Sequence, residues 1–485
     1  MMNTSSSDKK GFLNFYEKLS PGRKIWFGLI PGFGQVLNKQ YVKAAFVVAI
    51  VAILSVFVAI YSAPNISTMF VRGLDHSQTG ALGYDGWTES SKEIYDKVTS
   101  WIGNQGGIMF DNSLEILVRG IFSIFLIIFL VAAYLIQMYD VKRAAFLIEF
   151  NEMPSDFKDK FKIIKEKSFP YLLLIPAVVI SIFFIFTPVL FTVMISLTSY
   201  SGENKTPAVL IGWVGWFNYK KMFTSDIFGK AFLVVLQWNI IWTLLATTLQ
   251  ISLGMLIAVI LNKKFIKGKL EFKIIFLLPY AIPAFLLIMS FKGFFNPTYG
   301  AMNNMILKMF GMTDPQKIQW LAEGTFTKMA LIMIQTWLAF PFIFLLTTAV
   351  LQSVPQDLYE AADIDGAKGR HKFSKITLPM VFLTTGPILI MQYTGNFNNF
   401  GVIYLFNQGG PAFLDTSLRA SYAGQTDILL SWIYNLVGLN DVNANSQAAE
   451  YALGAAIGIF LAIFLMVIGV IQFTKSRSFK EMDMM

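Results

Sequence analysis

Residues Ala44–Ser62 read AAFVVAIVAILSVFVAIYS, an apolar run with no charged residue. A helix rises 1.5 Å per residue, so a run of this length covers about 30 Å, the thickness of a bilayer's hydrocarbon core. Working outward, seven further runs of similar character follow: Leu117–Met138, Tyr171–Leu197, Ala231–Leu261, Ile274–Phe291, Met329–Leu351, Pro379–Phe397 and Ala452–Phe473. Several contain proline (Pro176, Pro188, Pro279, Pro283, Pro341). That argues against water-soluble helices but not against spanning ones, whose neighbours re-satisfy the freed backbone groups. The expected fold is an all-α membrane protein, a polytopic bundle of about eight transmembrane helices.

Composition agrees. Charged residues make up 14% of the 485 positions, against about 25% in soluble domains, and mean hydropathy is +0.56. The net charge of +9 sits in short blocks between apolar runs rather than in a continuous basic face, so nucleic acid is not an expected partner and membrane lipid is. There is no cysteine, and His76 and His371 are the only histidines. Disulfides, thiolate metal sites and histidine-based centres are therefore not expected.

The basic blocks set the orientation. Lys9, Lys10, Lys18, Arg23 and Lys24 precede the first span. Lys142, Arg143, Lys158, Lys160, Lys162, Lys165 and Lys167 lie between the second and third. Lys263, Lys264, Lys267 and Lys269 separate the fourth from the fifth. Lys368, Arg370, Lys372 and Lys375 separate the sixth from the seventh, and Lys475, Arg477 and Lys480 follow the eighth. These are alternate connections, which the positive-inside tendency places in the cytoplasm together with both termini. Lys205, Lys220, Lys221, Lys308 and Lys317 blur the pattern on the other side without reversing it.

The expected organisation is then a cytoplasmic leader, 1–43, and two N-terminal spans, 44–138, enclosing a polar extracytoplasmic loop, 63–116. A cytoplasmic linker follows, 139–169, then a six-span core, 170–474, and a cytoplasmic tail, 475–485. Within the leader, Trp26–Leu37 (WFGLIPGFGQVL) is too short to span and reads as an interfacial turn. The first span reads as a signal anchor rather than a cleaved peptide, because its polar leader is long.

Between spans six and seven stands SVPQDLYEAADIDGAKGRHKFSKITLP, Ser353–Pro379. Ser353 with Gln356 predicts a capped helix start with Pro355 in its first turn. Asp365-Gly366 predicts a sharp stop, because glycine supplies positive φ at no steric cost. A second short basic helix carries Phe373 and Ile376. The outcome is a helix–turn–helix bracket, small-residue at its apex and joined directly to two spans.

Glu360-Ala361-Ala362, Asp365-Gly366-Ala367, Phe373, Ile376, Leu378 and Pro379 resemble the EAA loop of permease subunits of binding-protein-dependent ABC importers. The resemblance implies a type I ABC importer permease fold. It also implies that Glu360, Ala361, Ala362, Asp365, Gly366 and Ala367 form the coupling contact with a separate ATPase dimer. No G-x-x-x-x-G-K-[ST] sequence occurs, and Gly268-Lys269 lacks the rest of it. The chain is therefore expected to bind no cofactor itself, ATP and Mg being used by the ATPase, and to be a transporter subunit rather than an enzyme.

Asn396–Phe400 (NFNNF), Val402–Phe406 and Gly409-Gly410-Pro411 resemble the carbohydrate branch of that family, most closely the larger permease of maltose and maltodextrin importers. Gly212–Phe223, Leu277–Pro283 and Ala452–Gly458 agree, and the likeness runs from about Phe169 to the C-terminus. The short 200–230 connection and the Pro31–Gln35 leader look like Gram-positive forms, without the large folded insertion of the Gram-negative protein. The resemblance implies a second homologous permease, an extracytoplasmic sugar-binding protein and an oligosaccharide substrate, with maltodextrin favoured. It points to Gln335, Ala339 and Phe342 of span six, and Gln392, Asn396 and Asn399 of span seven, as substrate-facing. Read from the residues alone, asparagine amides pair well with hydroxyls, and Asn396 and Asn399 are three apart, on one side of a helix. Tyr393, Phe397 and Phe400 offer aromatic faces. The same amides can instead bond neighbouring helices.

A secondary transporter would carry ionisable residues at mid-membrane, and these spans are almost free of them. A membrane enzyme would need a carboxylate or histidine cluster, and Asp75, Asp85 and Glu89 lack such spacing. Nothing resembles a signalling domain.

Overall fold

The computed structural model describes residues 15–16, 18–72, 113–150, 169–203, 211–263, 265–311, 317–438 and 449–475. Most of the 63–116 loop, the Lys158–Lys167 block and the tail from residue 476 onward lie outside the described residues. The chain forms two compact units. One comprises Met1–Tyr200 with Asn204–Trp213, and the other Ser201–Glu203 with Val214–Met485.

In the first unit the leader folds into short turns of helix, Pro21–Lys24 and Phe33–Leu37, hinged at Gly32 with φ 77°. Helix α1 (Tyr41–Phe57) follows, and its apolar course continues as helix through Arg72. The loop expected to begin at Ala63 thus begins later. Helix α2 (Ser113–Glu149) outruns the predicted span at both ends. The leader is seated on α2. A Cβ at Gly34 would come within 2.6 Å of the Val141 side chain, so only glycine allows this approach. Asn38 Nδ2 donates to the Val141 carbonyl at 3.3 Å, and Tyr16 donates its hydroxyl proton to Asn38 Oδ1 at 2.8 Å. Burial pushes the Tyr16 hydroxyl up to about 12. The third span is α3 (Phe169–Ser181), a wide turn at Ile182–Phe186, and α4 (Thr187–Ser196). Pro188 has no N–H to give the regular helical bond. The turn widens so that the Thr187 N–H reaches the Ile182 carbonyl.

The second unit opens its spans with α5 (Phe228–Asn262). The predicted fifth span is two helices, α6 (Lys269–Ala281) and α7 (Ala284–Phe294), bent by 91°. The cause is Pro283, which forces Ile282 into extended backbone at φ −93°, ψ 135°. Below the bend Phe276 packs on Phe340 and Phe344, with ring centroids 6.3 and 6.2 Å apart. Beyond it Phe295 packs on Phe406 at 6.1 Å. Helix α8 (Gly324–Ser353) crosses α5 so closely that a Cβ at Gly254 would lie 2.7 Å from the Phe340 carbonyl oxygen. The bracket helices α9 (Gln356–Ile364) and α10 (Gly369–Lys372) lead through a wide turn, Phe373–Thr377, into α11 (Leu378–Phe397). The chain then breaks and resumes as α12 (Phe400–Asn407), α13 (Leu429–Leu436) and α14 (Tyr451–Lys475).

Several cores hold this unit, two of them beside the α11–α12 break. One gathers Trp238, Trp242, Ile288, Phe295, Trp320 and Phe406. The other gathers Phe232, Val235, Trp432, Leu436, Leu453 and Ile457. Lipid is as apolar as these side chains, so close packing and hydrogen bonds, not the hydrophobic effect, favour helix association. In all, seven described helices are long and apolar enough to cross a membrane, eight with the bent pair.

Candidate functional site

The bracket stands clear of both cores. Helix α9 has no buried residue, Glu360, Ala361, Asp365 and Gly366 are exposed, and Ile364 is 88% exposed. Ala362 and Ala367 are half-buried. The helix ends as the sequence predicts. Gly366 has φ 72°, its N–H donates to the Asp363 carbonyl at 3.0 Å, and the Ala367 N–H donates to Ala362 at 2.8 Å. That bond pair closes a Schellman cap. The start differs from expectation. Helix α8 runs through Ser353, whose hydroxyl donates to the Val350 carbonyl at 2.8 Å, and Pro355, not Ser353, stands at the N-cap of α9. The capping box is absent because its serine is still inside the preceding helix. An ion pair between Lys372 and Asp363 braces the two arms. So does a 3.0 Å hydrogen bond between the Tyr359 and Thr377 hydroxyls. The bracket is therefore a stiff, exposed knob continuous with α8 and α11.

A second feature lies where α11 ends. Asn396 and Asn399 do not share a helix face, because α11 stops at Phe397 and Asn399 caps α12 at φ −77°, ψ 67°. They still converge. Gln335 Nε2 donates to Asn396 Oδ1 at 2.8 Å, and Asn399 Nδ2 donates to Gln335 Oε1 at 2.9 Å. Asn396 Nδ2 donates to Thr247 Oγ1 at 2.8 Å and to Gln250 Oε1 at 3.1 Å. Gln250 Nε2 in turn donates to Gln392 Oε1 at 3.2 Å. The result is a neutral network of amides and a hydroxyl drawn from α5, α8 and the α11–α12 break. Tyr393 stands beside it, its hydroxyl 3.0 Å from Thr248 Oγ1. Ala339 and Phe342 make no polar bond to the network. Ala339 lies one turn along α8 from Gln335, and Phe342 packs with Ile251, Met255 and Leu389.

Thr247 and Gln250 escaped the reading of the sequence, although Asn239, Thr243, Thr247 and Gln250 form a polar stripe at helical spacing on α5. Next to the network, a groove of about 880 Å³ runs between α5 and α11. Thr248 and Tyr393 line it near the amides, and Lys263 and Arg370 line its bracket end.

The connection from Gln408 to Ile428 carries a third feature the sequence concealed. Asp427 is fully buried. Ser431 Oγ donates to its Oδ1 at 2.6 Å, and the Gly424 N–H and Asn435 Nδ2 donate to its Oδ2 at 2.7 and 2.9 Å. Burial pushes this carboxyl up to about 7. The connection is pinned by backbone bonds from the Thr426 N–H to the Gly409 carbonyl at 2.9 Å and from the Gln425 N–H to the Pro411 carbonyl at 2.8 Å.

Residues 250–476 match the family described as the binding-protein-dependent transport system inner membrane component. The chain is 38% identical over 457 residues to the galactooligosaccharides transport system permease protein of Bacillus subtilis (strain 168), covering 94% of this chain and 98% of that protein. It is also 38% identical over 472 residues to the maltodextrin transport system permease protein of Streptococcus pneumoniae (strain ATCC BAA-255 / R6), covering 96% and 98%. A solved bacterial ABC transporter involved in import of the acidic polysaccharide alginate shares the fold. Its TM-score is 0.52 at 22% identity, over 66% of this chain and 99% of the other.

Proposed function

From the premise that this chain belongs to the inner membrane components of binding-protein-dependent transport systems, we propose that it is one of two permeases of an ATP-driven maltodextrin importer. The second permease encloses the other half of the pathway, and a sugar-binding protein delivers substrate to the outer face. A separate ATPase dimer, using ATP and Mg, docks on the bracket. The chain binds no nucleotide and hydrolyses none, and both its termini lie in the cytoplasm. Glu360 and the small residues Ala361, Ala362, Asp365, Gly366 and Ala367 meet the ATPase. Closing of that dimer moves the bracket, and with it α8 and α11, as one piece. The sugar-loaded binding protein biases the same switch from outside, as linkage requires.

The observation that carries this reading is the neutral network of Gln335, Asn396, Asn399, Gln250 and Gln392. Amides present donors and acceptors that sugar hydroxyls can replace without moving a charge into the membrane. Ala339 stands one turn along α8 from Gln335, while Tyr393 and Phe342 offer ring faces. The 38% identity to a galactooligosaccharide permease supports one alternative reading, a short galactoside chain in place of maltodextrin on the same machinery.

The test is ATP hydrolysis by the reconstituted complex with its binding protein, across maltose, maltotriose, longer maltodextrins and galactooligosaccharides. Stimulation by maltodextrins alone is expected. Stimulation by galactooligosaccharides alone moves the substrate and keeps the mechanism, and no stimulation by any sugar removes the sugar reading.

A further inference from the structure

Helix α11 ends inside the protein, and its last carbonyls have no intrahelical donor. Helix α13 begins inside the protein, and its first N–H groups have no intrahelical acceptor. One side chain answers both needs. Asn239, fully buried on α5, donates its Nδ2 to the Phe397 carbonyl at 3.1 Å and accepts the Leu429 N–H on its Oδ1 at 2.9 Å. Of side chains this short, asparagine carries a donor and an acceptor on one planar head without a charge. Its α5 neighbours repeat the pattern. Trp242 Nε1 donates to the Asn396 carbonyl at 2.9 Å, and Trp238 Nε1 donates to the Thr426 carbonyl at 3.1 Å. The backbone of the amide network and the backbone of the Gln408–Ile428 connection thus hang on one face of one helix.

We infer that Asn239 is a positioning residue that ties the polar site at Asn396–Asn399 to the loop Gln408–Ile428, so that displacement of one is felt at the other. The inference rests on the importer reading for its meaning: if the loop Gln408–Ile428 faces the delivering binding protein, Asn239 carries its displacement to the polar site at Asn396–Asn399. A bond from backbone to backbone through a rigid amide transmits position, whereas a contact between mobile side chains would dissipate it. Because Asn239 touches neither the network's side chains nor the loop's tip, its role is separable from binding.

The experiment uses the full chain with Asn239→Leu and Asn239→Asp. Leucine keeps the bulk and cuts both ties. Aspartate is nearly isosteric, and its neutral acid donates to the Phe397 carbonyl and accepts from the Leu429 N–H as asparagine does. In the complete transporter in nanodiscs, the ratio of hydrolysis with and without sugar-loaded binding protein is expected to fall about tenfold in Asn239→Leu, with the unstimulated rate at or above that of the unmodified complex, and to be kept in Asn239→Asp. A merely structural role would lower both rates in proportion, and that result overturns the inference, as does an unchanged ratio. A second readout needs no partner. In the isolated chain in nanodiscs, amide hydrogen exchange at 396–399 and 424–429 is expected to quicken together in Asn239→Leu. Quickening of one segment alone overturns the tie. Failure of the unmodified complex to respond to any sugar counts against the importer reading instead, and the exchange result still decides the tie.

Discussion

Gln335 and Asn396 close on each other across two helices: Gln335 Nε2 lies 2.8 Å from Asn396 Oδ1, and both residues are buried. Gln335 Oε1 is at the same time the acceptor for Asn399. Replacing Gln335 with leucine preserves bulk but removes the donor to Asn396 Oδ1 and the acceptor for Asn399 Nδ2, leaving them only their weak 3.5 Å contact with each other. Each orphaned buried group costs about 1–3 kcal/mol. Gln335→Leu is expected to lower sugar import at least about tenfold and to lower the thermal midpoint of the purified chain. Transport of labelled maltodextrin into proteoliposomes and thermal unfolding in detergent check both.

Gly366 separates backbone strain from steric bulk. A Cβ there would meet nothing within 4 Å, yet φ is 72°. Left-handed backbone costs most residues about 1–2 kcal/mol and asparagine less. Gly366→Asn is expected to retain most ATPase recruitment and import, while Gly366→Val loses the cap and with it the angle between α9 and α10. Co-purification of the ATPase with each variant reads the difference, and equal behaviour of the two would discard the cap as the feature that matters.

Asp427 makes the Gln408–Ile428 connection pH-sensitive. Its carboxyl is raised from the usual 3.8 to about 7 by burial, so the folded loop holds a proton that the unfolded chain releases. The stabilisation is complete below about pH 4 and is lost as pH rises through about 7. With the proton on Oδ1, the carboxyl donates to Ser431 Oγ, which turns its own hydrogen to the Ile428 carbonyl, 3.1 Å away. Asp427→Asn reproduces that donor and acceptor pattern at every pH. Exchange protection at 424–431, corrected for intrinsic rates, is expected to fall between about pH 4 and 7 in the unmodified chain, to level off above that, and to stay flat throughout in the variant.

Gly254 is the contact point of α5 with α8, where a Cβ would lie 2.7 Å from the Phe340 carbonyl oxygen and from Ile343 Cβ. Neither is the end of a flexible side chain, so a larger residue must part the helices. Gly254→Leu is expected to destabilise by about 1–3 kcal/mol or more, and to stretch the 3.3 Å bond between Gln335 and Gln250. Loss of transport with a lowered thermal midpoint is the expected pair of results. Normal transport by Gly254→Leu would show that this approach is dispensable.

Much of this was legible beforehand, for identifiable reasons. Spans announce themselves because a bilayer demands length and apolarity from each segment independently of the others, and α5, α8 and α14 fall where hydropathy puts them. The stop at Asp365-Gly366 was legible because a left-handed residue leaves a local mark. What failed was tertiary. The three-residue spacing of Asn396 and Asn399 suggested one helix face, but the helix breaks between them, and convergence comes from Gln335 reaching across. Ser353 reads as a cap only if the preceding helix has stopped, and it has not. Pro283 was visible, but the 91° angle it takes depends on what each half packs against. Asp427 looks like any loop carboxylate until Gly409 and Gly424 fold over it. A Cβ on Gly409 would sit 1.9 Å from Asp427 Oδ1, a closeness no linear spacing encodes.

The bend at Ile282–Pro283 divides the allegiance of the fifth span. Its first half follows α8 through Phe276, and its second half joins α12 through the Phe295–Phe406 contact. A straight rod would bind both packing groups to a single motion. An elbow gives each half its own neighbours to follow, so a shift in α8 need not be copied at α12.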